Sequence, residues 1–350
     1  MPKGTSSLKA TRGAIIDALL HIDEPSVRWK VLTRVLGEDL SASKIRDLQE
    51  EIRNSARAKA LIAGRDKQFV REEHVYASWR GAHWTLAMLA EIGYPAGDES
   101  LLPMRDQVLD CWLGSSFYKE FESKVSVPKH RSAEGVPIIQ GRYRRCGSQQ
   151  GNALYSITRL GLADERSDGL AERLMHWQWP DGGWNCDRKP SAHISSFNES
   201  LLPMLGLAAH AGRTGDDAAR AAALKASEVF LSRRLFRSRT DGKVISPHWL
   251  RPKYPRYWHY DMLGALVAMT EMGLINDPRC GEALDLLERK ELPDKGWAAE
   301  GRFYKVSADM DTSSRFGSIS PVDWGGSGDR RANEWITADA LYVLRAAGRL

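Results

Sequence analysis

"HWQWPDGGWNCD", residues 176–187, decides how this chain is read: three tryptophans in twelve residues surround a Pro-Asp-Gly-Gly turn. Pro180 presets one backbone angle, and Gly182 and Gly183 accept the positive angles of a tight turn. The turn explains itself, but the rings do not. Trp177, Trp179 and Trp184 lie within a few residues of a polar loop, where large apolar rings need a neighbouring surface to cover them.

Outward from this stretch, one plan recurs: a polar or aromatic start, an apolar run with small residues, and a glycine stop. It is seen in "SVRWKVLTRVLG" (26–37), "SWRGAHWTLAMLAEIG" (78–93), "GSQQGNALYSITRLG" (147–161), "SSFNESLLPMLGLAAHAG" (195–212), "RYWHYDMLGALVAMTEMG" (256–273) and "NEWITADALYVLRAAG" (333–348). Six further stretches carry apolar residues on one face and charge on the other, among them "SKIRDLQEEIRNSARAKALIA", "SDGLAERLMHWQ" and "RCGEALDLLERK". A helix apolar on most sides must be covered all round, so the alternation predicts an inner ring of helices inside an outer ring. The expected fold is all-α, a single (α/α)6 toroid over 1–350 with almost no sheet. The best strand candidate is "GKVISPHW" (242–249).

"GLAERLMHWQWPDGGWN" resembles the QW repeat of squalene-hopene cyclases and related terpenoid cyclases, with Gln178, Gly183 and Trp184 at the matching positions. "LDLLERKELPDKGWAAE" (284–300) is a weaker copy, with Glu291 in place of the glutamine and Gly296 and Trp297 as turn and ring; 56–79 is a decayed third. The whole chain is similar to the broader toroid superfamily that also holds the protein prenyltransferases. That resemblance implies terpenoid or prenyl chemistry, yet fold does not dictate function. Class II cyclases of the superfamily carry a DxDD acid motif. "ADMDTSS" places Asp309 and Asp311 after the Gly296-Trp297 turn but has Thr312 in the last position, so the motif is incomplete. Prenyltransferases hold zinc with Asp, Cys and His. Cys186, Asp187, His193, His259 and Asp261 lie near inner-helix starts, but their spacing departs from that pattern; no metal and no cofactor are assigned, and Cys186 is read as a small buried apolar residue.

Composition narrows the partners. A net charge of +5 spread over 50 basic and 45 acidic residues does not mark a nucleic-acid binder. The apolar runs fall well short of the roughly 20 residues that span a membrane. Four cysteines without a CxxC pair point to reduced thiols and a cytoplasmic setting.

If the toroid holds, the first turns of the inner segments line its mouth. The candidate ligand-binding residues there are Trp79, Arg80, His83, Trp84, Asn198, Tyr257, Trp258 and Trp335. Aromatic walls suit an apolar or cationic ligand. In "RYWHYD" (256–261), helical spacing puts Tyr257, Trp258 and Asp261 on one face, so Asp261 is expected to face the cavity with Glu199 as second carboxylate. His259 and Asp311 complete the candidate acid-base set. The basic loop 119–145, with Lys119, Lys124, Lys129, Arg131, Arg142, Arg144 and Arg145, is expected to be mobile or to form a lid that attracts an anion. Three readings follow: a protein that binds or transforms an apolar prenyl-type molecule, a noncatalytic toroid for a ligand or protein, and a carbohydrate-active toroid.

Overall fold

Glycine stops and one-sided charge produce helices where the pattern places them. The computed structural model describes residues 4–63, 74–124, 135–293, 295–305 and 319–350. Just over half of the chain is helical. The helices are α1 (Gly4–Leu20), α2 (Pro25–Lys30, continued by a π turn at Val31–Val35), α3 (Ser43–Asn54), α4 (Ala56–Ile62), α5 (Ala82–Glu91), α6 (Leu102–Leu113), α7 (Gly147–Arg159), α8 (Glu165–His176), α9 (Phe197–Thr214), α10 (Asp217–Leu231), α11 (Met262–Glu271), α12 (Gly281–Arg289) and α13 (Glu334–Ala346). Gly93, Gly161, Gly273 and Gly348 end their segments at positive φ. The fourth segment overruns its expected stop: α9 continues past Gly212 to Thr214, and Gly215 is the left-handed cap.

The two classes of helix differ in burial as their patterns require. Nearly all of α5 and α11 is buried. By contrast α3 buries only Ile45, Leu48 and Ile52, and α12 only Ala283, Leu284 and Leu287, each a stripe at three- or four-residue spacing. Helix α5 packs on α7, α7 on α9, α9 on α11, α11 on α13, and α13 on α2 with its π turn. Between α2 and α5, Trp29 lies against Gly93, where a Cβ would fall 2.3 Å from the indole, and Lys30 is ion-paired with Glu91. Behind these, α1 packs on α2, α3 on α2, α4 on α5, α6 on α5 and α7, α8 on α7 and α9, α10 on α9, and α12 on α11.

The opening stretch is a staple between helices. Gln178 Nε2 donates to the carbonyls of Gly182 and Ala222, both at 2.8 Å, tying the turn to α10. Gly182 has φ of 100°, and a Cβ there would lie 2.4 Å from the Lys225 carbonyl oxygen. Trp184 donates its indole proton to Leu174 O at 2.9 Å and its amide to Ser200 Oγ at 3.0 Å. The second copy repeats this: Trp297 donates its indole proton to Leu287 O at 2.7 Å and its amide to Thr337 Oγ1 at 3.0 Å. At the position matching Gln178, Glu291 faces a cation instead of carbonyls. Arg12 of α1 donates to Glu291 at 2.7 Å and to Arg349 O at 2.6 Å, joining the first helix to the residues that follow α12 and α13.

Small sheets interrupt the helical plan. The ends of the basic loop form β1 (Glu120–Glu122), parallel to β2 (Val136–Ile139), which runs antiparallel to β3 (Arg142–Tyr143). A two-residue pair, β4 (Glu291–Leu292) with β5 (Gly296–Trp297), closes the second tryptophan turn. The 242–249 stretch is not a strand: it makes one bridge, Arg237 to Val244, and then a 3-10 turn at Pro247–Leu250, where proline supplies no amide for a ladder. Lys129 and Arg131 lie outside the described residues. Arg144, expected as an anion-attracting group, is instead buried and bonded to the carbonyls of Asp187, Ala192 and Ile139 over the Trp179 ring. Among the described residues no helix is long and apolar enough to cross a membrane.

Candidate functional site

The aromatic residues expected at the mouth gather, but they pack on one another. Trp79 stacks on Tyr257 at 3.7 Å between ring centroids, and Trp84 meets both edge-on. Trp79 and Tyr257 have φ of 63° and 50°, a left-handed backbone that bulky residues rarely adopt. His83 is buried against Trp84 and Tyr76; its Nδ1 accepts from Trp112 Nε1 at 3.2 Å and its Nε2 lies 3.0 Å from Asn152. Burial pushes His83 down to about 3, so it is neutral at physiological pH. Trp335 is fully buried and stacks on Tyr254, apart from this group. Arg80 is half-buried, and Asn198 Oδ1 accepts from the Tyr260 amide at 2.9 Å.

Asp261 does not line the cavity found between α5, α7, α9 and α11. The expectation assumed that 256–261 is a helical turn, whereas α11 begins at Met262 and Asp261 is its N-cap. Its carboxylate accepts from Gly264 N at 2.7 Å and Lys253 N at 3.0 Å, with no solvent exposure. Burial raises its pKa although Arg256 and both amides pull it down. His259 lies between Trp258 and Phe303, at 4.3 and 3.5 Å, and burial lowers it to about 4. Asp309 and Asp311 lie outside the described residues.

A cavity of about 90 Å³ lies between α5, α7, α9 and α11. Met88, Leu201, Leu202, Leu205 and Val267 form apolar walls, Tyr257, Trp258 and His259 border it, and Glu91, Tyr254 and Arg256 add polar groups. Arg256 Nη1 is buried without a hydrogen-bond partner among the described residues. Tyr155, Leu205 and Glu271 also line a wider cleft of about 380 Å³ with Arg34, Arg159 and Tyr342.

The chemistry-bearing group lies at the N-terminal ends of α7 and α9. Glu199 Oε2 accepts from Ser148 N at 3.2 Å and Ser148 Oγ at 2.8 Å, while Cys186 Sγ donates to Glu199 Oε1 at 3.4 Å. Cys146, the residue before α7, completes the group; the two sulfurs and a Glu199 oxygen all lie within 4.8 Å of one another. Cys186 is thus no apolar filler. The hydrogen bond with Cys146, burial and the charge of Glu199 together hold it protonated well above the usual thiol range. Glu199 is raised by burial, against the Ser148 donors. Ser148 and Asn152 are four residues apart on α7, and Glu199 and Leu202 three apart on α9. Asn152 and Leu202 line the cavity, so Ser148 and Glu199 stand about one helical turn, ~5 Å, from two of its lining residues, with the thiols beyond them. Asp187 and His193 are not part of this group: His193 is exposed, with Nδ1 on Ser191 O.

Two features escaped the sequence pattern. Cys146 had a legible signal, a thiol immediately before an inner-segment start. The other is an ion network: Lys30 bonds Asp339 at 3.0 Å and pairs with Glu91, Arg256 bonds Asp339 at 2.8 Å, and Glu271 meets Arg34, Arg159 and Tyr155. Its signal was charge inside the least polar helices. The chain matches no family model, no curated protein and no solved structure.

Proposed function

We propose that the chain is one (α/α)6 toroid of the terpenoid-cyclase and prenyltransferase kind, and that it takes an apolar, prenyl-type small molecule between its inner helices. The neighbour order of α2, α5, α7, α9, α11 and α13, with one-sided helices behind them, supports the architecture. So does the Arg12 bonding that links the first helix to the residues just after α12 and α13. Four unpaired thiols fit a cytoplasmic setting.

One observation carries the ligand reading: an apolar cavity has reactive groups near one end and cations at the other. Its 90 Å³ is less than the ~150 Å³ that admits benzene, so the cavity holds the branched end of a chain and the rest extends into the adjoining cleft. Glu199, beside the thiols, is the carboxylate that this reading places nearest the reacting end; Asp261 is committed to its helix. The carbohydrate reading draws on Tyr257, Trp258 and Glu91 at the same cavity, but about 90 Å³ is too small for a sugar ring, and Met88, Leu201, Leu202, Leu205 and Val267 offer it no hydrogen bonds.

Calorimetric titration with short prenyl alcohols, and with oligosaccharides for comparison, tests this. Prenyl alcohols are expected to bind, and Leu201→Trp or Leu205→Trp, which fill the cavity, to weaken binding at least tenfold while far-ultraviolet circular dichroism stays unchanged. Binding unaffected by either substitution, or shown only by the oligosaccharides, refutes the reading.

A further inference from the structure

The thiols and carboxylate at the starts of α7 and α9 have the make-up of a metal centre. We infer that Cys146, Cys186 and Glu199 bind a zinc ion, with a fourth position left for water or a ligand atom. The zinc adds to the ligand site proposed above but is measured with metal alone, so either proposal can fail without the other.

The distances suit the ion. Tetrahedral zinc with Zn–S of about 2.3 Å and Zn–O of about 2.1 Å separates a sulfur from an oxygen ligand by ~3.6 Å and two sulfurs by ~3.8 Å. Cys186 Sγ and Glu199 Oε1 are 3.4 Å apart, and all three ligand atoms fall within 4.8 Å. Two soft sulfurs with one carboxylate favour zinc over magnesium or calcium, which prefer oxygen alone, and three protein ligands with an open position mark a catalytic rather than a structural centre.

The scaffold holds these atoms in place before any ion arrives. The segment carrying Cys186 is clamped between two helix starts: Ser196 N donates to Trp184 O at 2.8 Å, Ser200 Oγ receives the Trp184 amide, and a Cβ on Gly147 would meet the Trp184 ring at 2.9 Å. Arg144 pins the next carbonyls, those of Asp187 and Ala192. Ser148 holds one Glu199 oxygen with two hydrogen bonds and so aims the other at Cys186. Such second contacts orient ligands in metal sites. Two thiolates and a carboxylate around Zn²⁺ carry one net negative charge, and Arg145, buried at the same helix start, interacts electrostatically with Cys146 and Glu199. The sulfurs bind as thiolates, their protons passing to solvent.

The test adds Co²⁺, a spectroscopic substitute for zinc, to the reduced, metal-free full-length protein. Near-ultraviolet thiolate-to-cobalt absorption is expected, displaced by Zn²⁺. Cys146→Ser and Cys186→Ser should each reduce it and together abolish it, whereas Cys280→Ser should leave it intact. Ser148→Ala should keep the thiolate bands but lower affinity about 10–100-fold, as loss of an orienting contact does. Should the cysteine variants fail to fold, alkylation of the wild-type protein decides: Zn²⁺ is expected to protect Cys146 and Cys186 from iodoacetamide. Absence of thiolate bands in the wild type, their persistence in the double variant, or alkylation unaffected by Zn²⁺ overturns the proposal.

Discussion

Trp184 donates its indole proton to the carbonyl of Leu174, 2.9 Å away across the turn, and so locks the end of α8 to the loop that follows it. Trp297 makes the same bond to Leu287 at 2.7 Å. Both rings are almost wholly buried, so replacing either by phenylalanine leaves a carbonyl without its donor and removes ring volume. Trp184→Phe and Trp297→Phe should each cost about 1–3 kcal/mol in urea denaturation, and by similar amounts.

The N-cap Asp261 serves two amides at once. Asp261→Ala should cost about 1–3 kcal/mol, since Gly264 N and Lys253 N lose their acceptor in a buried place. Burial raises this carboxyl above its ordinary 3.8. Between that value and the folded one, the folded protein keeps a proton the unfolded chain has lost, so stability from this group falls as pH rises through the window. Thermal melts of Asp261→Asn should show that slope flattened.

Lys30 joins Glu91 and Asp339 with almost no exposure. Lys30→Met should destabilise by about 3–5 kcal/mol, because it leaves two carboxylates short of a cation. Burial pushes Asp339 up but is outweighed by Lys30, Arg256 and Arg34, which hold it below the usual range; Glu91 is lowered by Lys30 and the same arginines against burial and Asp339. For lowered carboxylates the stabilisation is complete above the unfolded pKa and is lost as pH falls through the folded one. Acidification below about pH 4 should therefore destabilise the wild type more steeply than Asp339→Asn, as followed by circular dichroism.

His259 sits in a ring stack with its pKa lowered by burial from 6.5 to about 4. As pH drops from 6.5 towards 4 the unfolded chain takes up a proton that the folded protein refuses, and stability declines. His259→Phe keeps the stack and should lessen that decline, leaving the share that His83, lowered to about 3, contributes. A slope over this range that is the same in the wild type and the variant would show that His259 is not shifted.

What the sequence determined by itself was local. Ile45, Leu48 and Ile52 mark one face of α3, glycines end the helices, and the PDGG and PDKG turns each deliver a tryptophan onto the helix before it. These features rest on spacing within about one or two turns of chain, which is where helical periodicity and turn chemistry act. The tertiary structure decided the rest. That 256–261 is not a helical turn shows in the left-handed Tyr257 and in the Asp261 carboxylate, which caps α11 through Gly264 N and also takes the Lys253 amide. Arg144 looked like a free cation until the carbonyls of Asp187 and Ala192 came to meet it. Cys146, Cys186 and Glu199 belong to three separate stretches, and no period relates them. They meet because Trp184, placed by its own turn, packs against Gly147 and Ser200 at the starts of two helices, a long-range contact that no local pattern encodes.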